Sequence, residues 1–124
     1  MTETERFPIR YGALRLLLVV LGMGPGLSGV ELGDTEMKVR MGWAFSARVP
    51  RTSLTGAGLV TGRVGGIGVH GFRGRWLVNG SMAGIVGIDI KPAGRARVLG
   101  FPVKLHYLML SLENPDAFVA ALSR

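Results

Sequence analysis

The sequence predicts a small, mainly β domain, an antiparallel bent barrel or sandwich closed at one end by a C-terminal α-helix. Three observations predict it. Residues 37–49 alternate with a period of two: Met37, Val39, Met41, Trp43, Phe45, Ala47 and Val49 on one parity, Lys38, Arg40, Gly42, Ala44, Ser46 and Arg48 on the other. Turn-forming clusters recur between short apolar runs, at Gly33-Asp34, at Asn79-Gly80 and from Lys91 through Pro92 and Ala93 to Gly94. Near the end Asn114 and Pro115 open an apolar stretch, the signature of a capped helix start.

Length and composition bound the rest. A chain of 124 residues, 48% of them apolar, has room for one domain and enough side chains for one core. Its mean hydropathy of +0.35 does not suit a disordered basic tail. Cysteine is absent, which removes disulfides, zinc-thiolate centres, iron–sulfur clusters and thiol nucleophiles together.

Taken in order, the elements begin with an apolar run at residues 16–21, preceded by Arg6, Arg10 and Arg15 and broken by Gly22, Gly24, Pro25 and Gly26. About ten residues cannot span a bilayer, which needs roughly 20. Glu3 and Glu5 spoil the positive start of an export signal. The expectation is a short helix over 13–21, with residues 1–27 packed on the domain as part of its core. A strand follows at 28–32, then a hairpin of strands 36–40 and 43–49 that turns near Met41-Gly42 and carries Trp43 and Phe45 inward. Pro50 ends that ladder, and another strand covers 53–60.

Residues 56–74 hold eight glycines, the composition of a mobile loop or of a closely packed, kinked strand pair. Strands then run over 75–78 and 84–90, joined by a tight Asn79-Gly80 hairpin turn. Residues 91–94 turn again into a strand at 95–99, and the last strand runs from 103 to 112. The terminal helix, 114–123, has Asn114 as its cap, Asp116 toward the dipole, and Phe118, Ala121 and Leu122 on one face.

Charge is unevenly placed. The formal net charge is +7, but between residues 38 and 104 there are eleven Lys and Arg and a single acid, Asp89. Such a field draws phosphates or other anions. Six cations are the candidate anion or partner site. Lys91, Arg95 and Arg97 surround one expected turn; Lys38, Arg40 and Arg48 lie on the outward parity of the first hairpin. Arg offers bidentate hydrogen bonds to an anion and Lys a point charge.

Other motifs have simpler explanations. Residues 66–71 spell the GxGxxG of a dinucleotide site with Asp89 eighteen residues on, but strand rather than helix is expected to follow, so no pyrophosphate cradle forms. His70 and His106 are the only histidines; neither has partners at metal-ligand spacing, and no nucleophile-elbow pattern occurs. Asn79-Gly80-Ser81 has the form of a glycosylation site, and its turn chemistry explains it better. No cofactor, metal or catalytic set is therefore expected, and the protein is not expected to be an enzyme.

The order of these features resembles the bacterial pleckstrin-homology-like (PH-like) domains, a family of uncharacterised function. The similarity lies in the run from Thr35 through Lys38, Arg40 and Gly42 into Phe45 and Arg48, then Val49-Pro50-Arg51-Thr52-Ser53-Leu54. The ending Ser111-Leu112-Glu113-Asn114-Pro115-Asp116-Ala117-Phe118 is similar too. The resemblance covers most of residues 28–123. It implies a bent, seven-stranded antiparallel barrel with a C-terminal capping helix, no catalytic residues, and a binding or scaffold role. In eukaryotic relatives a Lys and an Arg-x-Arg on the first hairpin hold phosphoinositides; Lys91, Arg95 and Arg97 have a similar spacing but sit on a later hairpin. The expectation is thus a cytoplasmic module, with peripheral membrane association as the open alternative, that recognises a protein partner or an anionic membrane surface through a basic face. Strand edges offer a route to a homo-oligomer. The alternative is a small basic nucleic-acid-binding barrel with Phe72, Trp76 and Tyr107 as stacking residues.

Overall fold

The computed structural model describes residues 4–12, 15–60, 68–81 and 83–122. Among the described residues nine strands form one mixed sheet: β1 (Glu5–Phe7), β2 (Ser28–Leu32), β3 (Glu36–Met41), β4 (Phe45–Pro50), β5 (Leu54–Leu59), β6 (Gly68–Phe72), β7 (Arg75–Asn79), β8 (Ile85–Val98) and β9 (Phe101–Ser111). Two α-helices among these residues accompany them, α1 (Arg15–Val20) and α2 (Pro115–Leu122). The sheet runs β1-β2-β3-β4-β8-β9-β7-β6, with β5 paired beside β4 along the same edge of β8. It curls into an open half-barrel with α2 against β5 and β8, the bent barrel capped by a helix that the alternation and the terminal cap predict.

The curl has a local cause. Residues 90–93 of β8 stand opposite the single residue His106 of β9, between the pairs Asp89↔Tyr107 and Gly94↔Leu105. A bulge of this kind bends the strand and increases its twist. The neighbouring edge bends at the same level: β4 ends at Pro50, a 3-10 turn covers Arg51–Ser53, and β5 continues along β8 from Leu54↔Ile90. One half of β8 therefore pairs with β4 and the other with β5.

The inward side chains of both halves meet in one core that includes Met37, Val39, Phe45, Val49, Ile88, Ile90, Leu105, Leu108 and Leu110. Phe118 of α2 enters it edge-on to Phe7, with ring centroids 5.0 Å apart and an interplanar angle of 81°. Asn114 caps α2, its Oδ1 accepting from the Ala117 amide at 3.4 Å. At the other end of α2, the Arg51 guanidinium donates to the carbonyls of Ala121 (2.7 Å) and Gly33 (2.9 Å), satisfying a late helix carbonyl.

Residues 8–12 cross the mouth of the half-barrel. Ile9 bridges to Leu112 and Tyr11 to Gly80, the Arg10 amide donates to the Ser111 carbonyl, and the Ser111 hydroxyl donates to the Arg10 carbonyl (2.9 Å each).

Several expectations are corrected. The turn expected at 91–94 is the bulge inside one fourteen-residue strand; the chain reverses instead at Leu99-Gly100, where φ values of 52° and 85° suit a two-residue hairpin turn. Asn79-Gly80 is not a hairpin turn, because β9 lies between β7 and β8, and β7 pairs with β9 in parallel. The strand expected to run through from Phe72 to Val78 is interrupted by the Arg73-Gly74 turn between β6 and β7.

Trp43 is not inward: it lies in the turn between β3 and β4 and is 61% exposed, while Phe45 is buried. The N-terminal helix forms, but it reaches the core only through Leu18. Of the glycine-rich stretch, 54–59 and 68–72 are strand, whereas 61–67, which include Arg63 and the start of the GxGxxG, lie outside the described residues, as do 13, 14 and 123.

Replacing Phe118 by Ala removes the largest buried side chain of α2 and is expected to cost about 3–5 kcal/mol, read as a lower urea midpoint at unchanged m-value.

Candidate functional site

The strand registers place the basic residues in rows. Directly opposed across β1-β2-β3-β4-β8-β9 stand Arg6, Glu31, Lys38, Arg48, Arg95 and Lys104. A second row two residues along reads Gly29, Arg40, Ser46, Arg97 and Pro102. Period-two geometry turns all of these away from the core, because Met37, Val39, Met41, Ala47, Val49 and Ala96 occupy the inward parity. Every cation of the two rows is exposed.

Between the arginines the small Gly29 and Ser46 leave a hollow. The resulting groove has a volume of about 930 Å³ and is lined by, among others, Lys38, Arg40, Arg48, Arg95 and Arg97.

Five of the six cations singled out by sequence thus share one face. Lys91 is the exception: it is exposed on the bulge of β8 and does not line the groove, so the expected convergence of Lys91 with Arg95 and Arg97 around one turn does not occur. Lys104 and Arg6 belong to the face and were not singled out. Lys104 could be recognised as outward from its alternation with buried Leu105, but its place beside Arg95 depends on a register that the sequence does not state.

Lys38, Arg48, Arg95 and Lys104 are four cations in consecutive cross-strand positions, with Cβ atoms of each directly opposed pair roughly 4.5–5.5 Å apart. Like charges so placed repel. Glu36 relieves one of them, its carboxylate lying 3.3 Å from the Arg48 guanidinium, and both side chains are substantially exposed. Arg40 and Arg97 turn toward one end of the face, donating to the carbonyls of Gly42 (3.3 Å) and Gly100 (3.4 Å).

That end is apolar. Among the described residues ten large apolar side chains are exposed, and all but Leu59 lie on α1, on residues 21–27, in the two turns after β3 and β8 or, for Phe101, at the start of β9. Leu16, Val20, Trp43 and Phe101 are exposed by 77%, 75%, 61% and 72%. The backbone fixes this cluster. The Trp43 indole N–H donates to the Leu21 carbonyl (2.5 Å), the Gly42 amide to the Leu27 carbonyl (3.0 Å), and the Tyr11 hydroxyl to the Met23 carbonyl (2.5 Å). Gly42 has φ +53°, and a Cβ there would collide with the Gly22 carbonyl, so only glycine fits.

The remaining sequence candidates are dispersed. Asn79 is buried, its amide donating to the Ser81 carbonyl at 2.8 Å, so the folded domain leaves no room for a glycan there. His106 is exposed as its alternation predicts, and the His70 side chain lies outside what is described. Trp76 is half-buried, and Tyr107 lies under the Arg75 guanidinium at 4.4 Å from the ring centroid. Comparison with protein-family models, curated proteins and solved structures finds no match to this chain.

Two expectations follow. Glu36→Gln should change stability by no more than about 1 kcal/mol in a denaturation curve, because its ion pair is exposed. Burial raises the Tyr11 phenol above its ordinary value of 10, with the Ser28 hydrogen bond and Arg15 pulling weakly the other way. The unfolded chain then loses this proton first. The contribution is intact below pH 10 and declines above it as the pH approaches the raised folded value, so the fall in melting temperature above pH 10 should be shallower in Tyr11→Phe.

Proposed function

We propose that the protein is a non-enzymatic, PH-like binding module that holds an acidic partner surface, membrane or protein, against the basic face of β3, β4, β8 and β9. The observation that carries this reading is the unbroken row Lys38, Arg48, Arg95, Lys104. A surface that served only solubility would interleave signs, since opposed like charges cost stability and opposite charges add it. An anionic surface laid across the row cancels the repulsion and gains charge-assisted hydrogen bonds. The groove supports the same reading: its charged lining is five Lys or Arg besides Arg6, with Glu31 as the acid. Such groups hold negative charge.

The nucleic-acid alternative is less well supported. Single-strand binders interleave aromatics with their cations, and the outward positions of the two rows are Arg, Lys, Glu, Gly, Ser and Pro.

A matched pair of charge reversals tests the proposal, because Arg95 lines the groove and Lys91, four residues away, does not. Binding is measured to vesicles containing phosphatidylglycerol, to poly-glutamate and to a single-stranded oligonucleotide, in low and moderate salt. At roughly 1 kcal/mol per basic residue near an anionic surface, Arg95→Glu should weaken binding about tenfold or more, and Lys91→Glu much less. Equal effects of the two variants would mean that net charge alone is read, and would overturn the face as a site. Preference for the oligonucleotide over both other probes would favour the alternative.

A further inference from the structure

Resting on the basic-face reading, we infer that its partner is an anionic lipid bilayer, and that the apolar end formed by α1 and the turns at Trp43 and Leu99-Gly100 inserts into that bilayer's interface.

Three features of the structure lead there. The first is the concentration of exposed apolar side chains at one end. A helix that is apolar on all sides is normally buried in protein or lipid, yet α1 buries only Leu18 and presents Leu16, Leu17, Val19 and Val20 outward. The second is the charge directly behind them. Arg40 and Arg97 are hydrogen-bonded to the carbonyls of Gly42 and Gly100 in the two turns that carry Trp43 and precede Phe101, and Arg15 opens α1. Cations at headgroup level behind a Trp-containing apolar tip are the arrangement of interfacial membrane segments, which lie about 5–10 Å deep. A six-residue helix is about 9 Å long, the right size to lie in that zone and too short to cross it. Among the described residues no helix is long and apolar enough to cross a membrane.

The third feature distinguishes the possible occupants. Apart from Leu27, which borders the basic groove, the apolar groups stand out from a helix and two turns rather than lining a groove, which suits a deformable surface. A second copy of this chain would bring its own basic face next to this one, like charge against like. A bilayer of anionic lipid complements both the tip and the cations behind it.

The test uses the full chain with vesicles carrying phosphatidylglycerol, with and without brominated acyl chains, and follows tryptophan emission. Insertion predicts a blue shift and quenching by the brominated lipid that disappear in Trp43→Phe, leaving half-buried Trp76 as the unquenched background. It also predicts that Leu16→Ser/Val20→Ser, at exposed positions and so with unchanged circular dichroism and melting temperature, weakens vesicle binding in moderate salt at least fivefold. Salt-sensitive vesicle binding without quenching, unaffected by the Leu16/Val20 variant, would overturn insertion while leaving the basic face as the contact. Quenching that persists undiminished in Arg48→Glu/Arg95→Glu would overturn the basic-face reading and keep insertion. No vesicle binding, together with self-association in sedimentation that the Leu16/Val20 variant relieves, would overturn the inference in favour of a second copy of this chain.

Discussion

The structure depends on a corner. Where residues 90–93 of β8 bulge past His106, a strand that would otherwise be straight turns; Ile88, Ile90, Gly94 and Ala96 keep one inward parity on β8, while on β9 the inward parity shifts between Leu105 and the pair Leu108 and Leu110, so that all face one interior. Without the extra residues β9 would stay in simple register with β8, and one half of β9 would carry its leucines to solvent. The matching bend between β4 and β5, held by Arg51 reaching the carbonyls of Gly33 and Ala121, lets a continuous edge follow the curve. The end helix then has a concave surface to close, and Phe118 fills it.

The same corner sets the basic face. Because β8 changes partner there, only its second half lies beside β4, and that pairing puts Arg95 opposite Arg48 and Arg97 opposite Ser46. Apolar packing fixes the register from inside, with Ala47 paired to Ala96 and Phe45 to Val98, and the outward charges follow whether or not they repel. The core therefore holds in place an arrangement that electrostatics alone would disperse. Glu36 offsets part of the cost at Arg48.

How much of this was legible in the sequence differs between local and non-local features. Alternation placed Lys38, Arg40, Arg48, Arg95 and Arg97 outward because parity is a local property of each strand. The row they form depends on which strand lies beside which, and nothing in the composition of β4 and β8 states that they pair. Residues 91–94 have turn chemistry and do bend, but Pro92 and Gly94 are as suited to a bulge as to a reversal, while Leu99-Gly100 carried the weaker-looking pattern and holds the actual turn. Trp43 shares its parity with core residues; the glycine before it shifts the turn by two residues, and that is enough to move an indole from the core to the surface. The apolar run at 16–21 suggested burial because hydropathy does not record whether a neighbour is present to cover it.

The strap at residues 8–12 has a consequence for how the protein is made. Two of its partners, Ser111 bonded to Arg10 and Leu112 bridged to Ile9, lie about a hundred residues later in the chain. At synthesis rates of roughly 5–20 residues per second, the strap waits on the order of 5–20 s before the segment that receives it has been polymerised. The apolar run beside the strap is thus made well before the sheet that the strap ties is complete.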